Sequence, residues 1–283
     1  MRALLETLLA VARSAAEVIL EVYATPFDVR LKRPREPVTA ADHRANALIC
    51  GVLAERFPGV PIVAEESDPD MFHGFRSAPR VLFVYPLDGT REFIARNGEF
   101  AVMIGLLEGA RALAGAVLAP EAGRGWVGAL GTGAWRVEPD GQWVPIRVSP
   151  VSDVGQARLV ATRSHRSASL QRALAALGGA SVRALGSAGL KGAEVAQGAA
   201  DAYVDTGPGT KRWDACAIDA LVTASGGRVT DTLGAPIDYR GPDLANRHGL
   251  LVTNGLVHDA ILARLGTPRA HDRHDRPGRR PLQ

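Results

Sequence analysis

The sequence predicts an α+β fold, and three stretches of the chain indicate it. Two early segments have apolar residues at helical spacing, the region 100–148 has the pattern of successive strands separated by turns, and strands and helices alternate after residue 149. A chain of 283 residues is long enough for two sub-domains. We therefore expect an N-terminal α+β domain over 1–148, a C-terminal α/β domain over 149–265, and a disordered basic tail over 266–283.

The N-terminal region is predicted to pack two helices against an antiparallel sheet. Charged residues interrupt the apolar face of the first helix, which is typical of an amphipathic surface helix rather than a signal peptide. A loop over 34–37 separates it from a second helix over 41–57, and a short strand over 61–64 delivers Glu65 and Glu66 at its end. Later strands are expected at 101–107, 112–118, 125–127, 135–137 and 143–148.

The C-terminal region alternates between the two kinds of element. Its strands are expected at 158–162, 181–185, 202–204, 228–230 and 249–253. Its helices are expected at 167–177, 190–198, 213–225 and 257–265. This alternation predicts an α/β arrangement.

Charge and cysteine content argue against several classes of function. The tail over 266–283 contains five Arg and two Asp, which account for the whole net charge of +3, so the body of the chain is neutral and we expect no nucleic-acid partner. Cys50 and Cys216 lie far apart and support neither a disulfide framework nor a thiolate metal site. The sequence contains no long apolar segment, so we expect a cytoplasmic protein without stable membrane insertion.

One short segment carries most of the chemistry. The apolar run 81–84 predicts a buried strand, which Pro86 is expected to end, and a carboxylate, a glycine and a hydroxyl follow at 88–90. Backbone N–H groups at such a turn can hold a phosphate, and a carboxylate there can hold a metal ion. The segment therefore predicts metal-assisted phosphate chemistry. Tyr85 stands three residues before Asp88, where a second carboxylate would complete the site.

Further acidic residues occur at the ends of other predicted elements. Asp42 and Asp214 lie at helix starts, and Glu65 and Glu66 lie at a strand end. Taken singly, such an Asp usually caps a helix and such a Glu pair is usually solvated. Together they match the preference of Mg²⁺ for several oxygen ligands. The combination therefore predicts a magnesium site.

These segments resemble four motifs of the inositol monophosphatase-like phosphatases, in the same order. Residues 84–90 are similar to the Asp-Pro-(Ile/Leu)-Asp-Gly-Thr motif, 64–66 to the Glu-Glu element, 37–42 to the Val-Thr-x-x-Asp element and 213–227 to the Trp-Asp…Gly-Gly element. The likeness covers roughly residues 5–265. It implies the layered αβαβα sandwich of the inositol monophosphatase and sugar phosphatase type.

Three further segments resemble the CysQ-type 3′(2′),5′-bisphosphate nucleotidases within that superfamily. Residues 88–93 are similar to Asp-Gly-Thr-Lys-Glu-Phe, 162–165 to the Ser/Thr-Arg-Ser-His loop, and 186–191 to Gly-Ser-Ser-x-Lys with one extra residue before the Lys. The resemblance implies a Mg²⁺-dependent phosphatase that hydrolyses the 3′-phosphate of 3′-phosphoadenosine 5′-phosphate, a phosphorylated-nucleotide substrate and a homodimer. An inositol monophosphatase-type enzyme and a non-catalytic nucleotide-binding homologue remain alternatives.

The resemblance also implies roles for individual residues. Mg²⁺ would be held by Glu65, Asp88 and Asp214 with the Leu87 carbonyl. The catalytic residues would be Thr90, Asp42 and Glu65, with Thr90 and Asp42 assisting the attacking water. Contacts to the substrate would come from Glu65, Leu87, Asp88, Gly89, Thr90, Ser164, His165, Lys191 and Asp214.

Tyr85 departs from the family motif at its most sensitive position. The family has an Asp there that bridges two metal ions, whereas this chain has a phenol. A phenol has an ordinary pKa of about 10, against about 4 for Asp, so it is neutral at pH 7 and a poor ligand for a hard cation. Glu66 and Glu92 are candidates to supply the missing carboxylate. We expect a folded protein that is slow or inactive.

Overall fold

The computed structural model describes residues 1–33, 36–164, 167–179 and 181–266. Within these ranges the helices are α1 (Arg2–Tyr23), α2 (Ala40–Arg56), α3 (Thr90–Ile94), α4 (Ala168–Leu177), α5 (Ala188–Ala196), α6 (Arg212–Ala224) and α7 (His258–Leu265). The strands are β1 (Arg30–Arg33), β2 (Glu36–Val38), β3 (Ile62–Ala64), β4 (Arg80–Asp88), β5 (Ala101–Glu108), β6 (Arg111–Ala119), β7 (Arg124–Ala129), β8 (Gly133–Val137), β9 (Trp143–Pro145), β10 (Arg158–Thr162), β11 (Ser181–Leu185), β12 (Ala202–Asp205), β13 (Arg228–Thr230) and β14 (Leu250–Thr253).

The first large sheet, here called the N-terminal sheet, contains β3 to β9 in chain order. β3 pairs in parallel with β4, and every later pair is antiparallel, as expected for a meander joined by short turns. α1 and α2 cover one face because their apolar residues recur on one side, and Leu8, Ile19 and Ile49 are fully buried there. This packing forms the first core layer.

The second large sheet, the C-terminal sheet, has the order β11-β10-β12-β14-β13. α5 and α6 lie between the two sheets, and α6 packs so closely on the N-terminal sheet that a Cβ on Gly115 would lie 2.3 Å from the Ala217 carbonyl oxygen. α4 and α7 cover the outer face of the C-terminal sheet, where Leu177 and Ile261 are buried. The layers are therefore helices, sheet, helices, sheet and helices, which confirms the predicted αβαβα sandwich.

Two sequence predictions about local structure were wrong. β4 continues through Pro86 to Asp88, because its pairing with β5 is irregular between Tyr85 and Asp88 and does not need the missing N–H of proline. The predicted loop over 34–37 is partly a strand, since Glu36–Val38 pairs with β1 in an antiparallel hairpin. This hairpin, β1–β2, carries residues that reach the functional pocket.

The predicted division at residue 148 stays a prediction. The core between the two sheets takes side chains from both sides of that boundary, including Met103 and Tyr203. The predicted basic tail, apart from Gly266, lies outside the described residues. In the part of the chain that the structure describes, no helix has both the length and the apolar character needed to cross a membrane.

Candidate active site

One large pocket brings together most of the acidic residues that the sequence singled out, and Asp42 lies buried beside it. The parallel pairing of β3 with β4 places Glu65 beside the end of β4, and the Glu65 N–H donates to the Val84 carbonyl at 3.2 Å. The starts of α3, α5 and α6 and the β1–β2 hairpin complete the walls. The side chains of interest that line the pocket are Lys32, Glu65, Glu66, Tyr85, Asp88, Thr90, Glu92, Lys191 and Asp214.

Asp42 and Thr90 form a hydrogen-bonded pair at the edge of this pocket. Asp42 occupies the first turn of α2, where its Oδ2 accepts hydrogen bonds from the N–H and the hydroxyl of Thr39, both at 2.8 Å. The Thr90 hydroxyl donates to Asp42 Oδ1 at 2.9 Å and also lies 3.4 Å from the Leu87 carbonyl. Burial raises the pKa of Asp42, although the bonds from Thr39 and Thr90 oppose this. The carboxylate therefore serves both as a helix cap and as the partner of a hydroxyl.

Asp88 ends β4 and is held from the start of α5. Its Oδ2 accepts hydrogen bonds from the Ser187 hydroxyl at 2.5 Å and from the Gly189 N–H at 2.8 Å. Burial raises the pKa of Asp88, against the opposing effects of the Lys191 ammonium and the Ser187 hydroxyl. This contact joins the two predicted domains at the pocket.

Asp214 lies in the first turn of α6, the matching position to Asp42 in α2. Its Oδ2 accepts a hydrogen bond from the Lys211 N–H at 2.7 Å. Burial and the neighbouring charge of Asp88 raise the pKa of Asp214 to about 8. At neutral pH the carboxyl group is therefore mostly protonated unless a positive charge lies beside it.

Glu65 and Glu66 face a lysine that the sequence did not single out. The Lys32 ammonium, on β1, is 2.8 Å from Glu65 Oε1 and also pairs with Glu66. The other oxygen, Glu65 Oε2, is buried without a hydrogen-bond partner. Burial raises the pKa of Glu65 well above its ordinary value, although Lys32 lowers it. The basic residues at 30–33 were the available signal, but no strand was predicted for them from the sequence.

Tyr85 stands among these carboxylates. Burial, with the charges of Glu65, Asp214 and Asp88, raises the pKa of its phenol well above the ordinary value. The phenol is therefore neutral at physiological pH, as expected for a tyrosine at this position. The pocket has one negative charge fewer than a carboxylate at this position would give it.

The donor chemistry fits a divalent cation that is bound mainly through water and substrate. Among the described residues, no group of three or more His, Cys, Asp or Glu side chains is arranged to hold a metal ion. Mg²⁺ usually keeps several waters and takes one or two carboxylates together with phosphate oxygens. Glu65 Oε2, buried without a hydrogen-bond partner, and Asp214, whose pKa is raised, are both groups that a divalent cation would stabilise. The residues present therefore suit such an ion.

The remaining predicted substrate contacts lie around this centre. Gly89 has a φ of 99°, and a Cβ there would lie 3.0 Å from the Glu99 carbonyl oxygen, so glycine is required. The Ser164 hydroxyl donates to the buried Glu92, which also lines the pocket. Lys191 is buried, and its ammonium donates to the Ser187 carbonyl at 2.8 Å. His165 lies outside the described residues.

Comparisons with known proteins identify the relatives of this chain. The model of the inositol monophosphatase family matches residues 1–267. The chain belongs to the inositol monophosphatase family. It is also 37% identical to the 3′(2′),5′-bisphosphate nucleotidase CysQ of Escherichia coli O157:H7, over 83% of this chain and 94% of that protein. The predicted resemblance to the CysQ-type nucleotidases, and with it to phosphomonoester hydrolases, is confirmed.

Solved structures agree on the fold. CysQ from Bacteroides thetaiotaomicron has a TM-score of 0.74 and 28% identity, and the match covers 89% of this chain and 97% of that one. An IMPase/NADP phosphatase, described as complexed with NADP and Ca²⁺, has a TM-score of 0.80 over 95% of this chain and 97% of its own. At 19% identity, the second likeness supports the fold alone.

Proposed function

We propose that the protein is a Mg²⁺-dependent 3′(2′),5′-bisphosphate nucleotidase that removes the 3′-phosphate of 3′-phosphoadenosine 5′-phosphate. The observation that carries this proposal is the Thr90 hydroxyl, which donates to the buried Asp42 at 2.9 Å and lines the pocket together with Glu65, Asp88 and Asp214. A relative with 37% identity, named as such a nucleotidase, supports the substrate class. The products would be inorganic phosphate and adenosine 5′-phosphate.

Thr90 would bind the attacking water, and Asp42 would take up its proton. Because the Thr90 hydroxyl donates its proton to Asp42, its oxygen can accept a hydrogen bond from a water molecule. As the water oxygen attacks phosphorus and the bond to the 3′-oxygen breaks, the water proton passes through Thr90 to Asp42. Burial raises the pKa of Asp42, which makes it a better proton acceptor. The leaving oxygen takes its proton from solvent.

Other residues would hold the phosphate and the cation. Glu65, Asp88 and Asp214, with the Leu87 carbonyl, would hold Mg²⁺ in this proposal, with one or two of these carboxylates for each ion and water and phosphate oxygens as the other ligands. When bound, the ion neutralises phosphate charge and lowers the pKa of water. The N–H groups at 89–90 would bind the phosphate oxygens, because they stand where β4 gives way to α3. We further propose that Ser164, His165 and Lys191 contact the rest of the nucleotide.

A non-catalytic nucleotide-binding role is the second candidate, and Tyr85 favours it. The neutral phenol leaves the pocket one carboxylate short where the family has a metal-bridging Asp. On the first candidate the parent protein is slow but Mg²⁺-dependent. On the second it binds the nucleotide without hydrolysing it.

Phosphate release tests the two candidates directly. We expect Mg²⁺-dependent release from 3′-phosphoadenosine 5′-phosphate, and competition binding that favours this ligand over inositol 1-phosphate. Nucleotide binding without release would establish the non-catalytic role. Preference for inositol 1-phosphate would place the protein in the inositol monophosphatase branch.

A matched pair of threonine variants tests the proposed water-binding hydroxyl. Thr90→Val removes the hydroxyl at nearly constant size, and we expect it to lower kcat by roughly a hundredfold, the usual scale for general acid–base groups. Thr132→Val makes the same change at an exposed turn between β7 and β8, and we expect unchanged kcat. Equal rates for parent and Thr90→Val would remove Thr90 from the reaction.

We also propose that the protein works as a cytoplasmic homodimer. The proposal rests on the family resemblance. Light scattering on the eluting peak of a size-exclusion column would give the mass of the assembly. A single peak near the monomer mass of 29.9 kDa would contradict the dimer.

A further inference from the structure

Ser187, directly before α5, has an unusual backbone conformation. Its φ is 51° and its ψ is 127°, so a residue with a side chain occupies a region that favours glycine. Such strain persists only where surrounding contacts enforce it, and it often occurs at functional sites. A serine at this position must therefore be explained by a contact of its side chain, because glycine could not make that contact.

The Ser187 side chain supplies that reason. Its hydroxyl donates to Asp88 Oδ2 at 2.5 Å and accepts from the Leu190 N–H at 3.1 Å, so one oxygen links the α5 start to the end of β4. The Gly189 N–H donates to the same Asp88 oxygen at 2.8 Å. The start of α5 thus uses only Oδ2 of Asp88, so these bonds leave the Oδ1 side of the carboxylate to face other groups.

Contacts on both sides of Ser187 keep it in place. The Lys191 ammonium donates to the Ser187 carbonyl at 2.8 Å, and the Gly186 N–H donates to Glu99 Oε2 at 2.6 Å. A Cβ on Gly186 would lie only 2.4 Å from the Glu92 side chain, so the chain cannot shift the serine by one position without a clash. The strained backbone is therefore enforced by the surrounding structure.

We infer that Ser187 is a positioning residue that fixes the orientation of the Asp88 carboxylate for cation and phosphate binding. The inference rests on the proposed function, because it assigns Asp88 to the cation. Ser187 does not touch the cation in this scheme. It acts through Asp88, as the hydrogen-bond partners of metal ligands generally do.

Two substitutions separate the hydroxyl from the backbone. Ser187→Gly removes the hydroxyl but relieves the positive φ, so we expect an unfolding midpoint within about 3 °C of the parent. Ser187→Ala removes the hydroxyl and keeps the strain, so its midpoint should fall by about 2–4 °C. Both variants should bind Mg²⁺ about tenfold or more weakly in calorimetric titration, since losing a ligand's hydrogen-bond partner typically costs that much.

Ser167→Ala is the matched control. Ser167 caps α4 by accepting from the Leu170 N–H at 3.1 Å, the same cap that Ser187 makes for α5, but it belongs to a different helix start. We expect Ser167→Ala to lower the unfolding midpoint as Ser187→Ala does, with unchanged Mg²⁺ affinity. A loss of affinity in all three variants would show a general effect of instability and overturn the inference.

Crystal structures of the metal-free parent and Ser187→Gly provide a second readout. We expect the Asp88 carboxylate to rotate or to take two orientations in the variant. Unchanged Mg²⁺ affinity together with an unchanged Asp88 orientation would overturn the inference while leaving the proposed function intact. If the parent itself takes up no Mg²⁺, the cation-binding part of the proposed function fails, and the Asp88 orientation alone then decides whether Ser187 positions it.

Discussion

The carboxylates in and beside the pocket form two pairs that differ in how the protein stabilises their charge. Asp42 and Asp88 each accept hydrogen bonds at 2.5–2.9 Å from hydroxyl and backbone donors of the chain itself. Glu65 and Asp214 are less well satisfied, because Glu65 Oε2 is buried without a hydrogen-bond partner and burial raises the pKa of Asp214 to about 8. In the proposed function the chain itself would stabilise most of the charge of the first pair, whereas the second pair would depend more on a bound cation.

Removing a charge from the pocket should have the largest effect. Asp88→Asn and Asp214→Asn keep the shape of the side chain but replace a hard anionic oxygen with an amide, so we expect each to abolish Mg²⁺ binding. Calorimetric titration with Mg²⁺ is the measurement. If both variants bind as the parent does, neither residue belongs to the cation site.

Asp219→Asn is the matched control for that experiment. Asp219 also lies on α6 and is partly buried, but its carboxylate accepts from the Tyr239 hydroxyl at 2.9 Å rather than facing the pocket carboxylates. Burial raises the pKa of Asp219 to about 6. We expect Mg²⁺ affinity to be unchanged in Asp219→Asn, which would separate loss of a ligand from loss of any carboxylate on α6.

Restoring a carboxylate tests the opposite change. Tyr85→Asp should raise the Mg²⁺-dependent rate by roughly a hundredfold or more, since ~3–4 kcal/mol of added stabilisation of the transition state corresponds to that factor. Steady-state kinetics at saturating Mg²⁺ compares the parent, Tyr85→Asp and the control Tyr85→Phe, which should show no gain. A parent already as fast as Tyr85→Asp would mean that another group replaces the missing carboxylate.

Local periodicity predicted much of the fold, because it depends on residues close in sequence. The helices and strands of the C-terminal half begin and end within one or two residues of their predicted bounds, since most of them bury apolar residues at regular spacing. The β1–β2 hairpin was missed because its first strand, Arg30–Arg33, is basic and has no apolar face to detect. The contact between Ser187 and Asp88 joins residues 99 positions apart, and no local pattern encodes such a distance.

A buried histidine of the scaffold, His258, is expected to lower the stability of the folded protein in acid. His258 is fully buried, with one ring nitrogen 3.0 Å from the Thr230 hydroxyl and the other 2.9 Å from the Thr253 hydroxyl, and burial lowers its pKa to about 4 from 6.5. Because the folded protein binds this proton less readily than the unfolded chain, stability is complete above pH 6.5 and falls as the pH drops towards 4. The loss should reach roughly 3 kcal/mol.

Urea unfolding between pH 4 and pH 7 measures this effect. We expect His258→Gln to flatten the pH dependence, whereas His248→Gln, at an exposed position, should leave it unchanged. A pH dependence that persists in His258→Gln would assign the acid sensitivity to carboxylates whose pKa is lowered in the folded protein, such as Asp201 beside Arg158. The pocket carboxylates would act in the opposite direction, because their raised pKa values favour the folded protein as the pH falls.

Lys32→Met should have the smallest effect. It tests whether the second pair of carboxylates, Glu65 and Asp214, binds an external cation. The Lys32 ammonium lies 2.8 Å from Glu65 Oε1, so a divalent cation at Glu65 would experience its repulsion. Removing the ammonium should raise Mg²⁺ affinity by about threefold to tenfold, because a partly exposed charge contributes on the order of 1 kcal/mol. Arg30→Met, on the same strand but exposed, is the control for the lost net charge. Weaker Mg²⁺ binding in Lys32→Met alone would show that Lys32 organises Glu65 for the cation instead of competing with it.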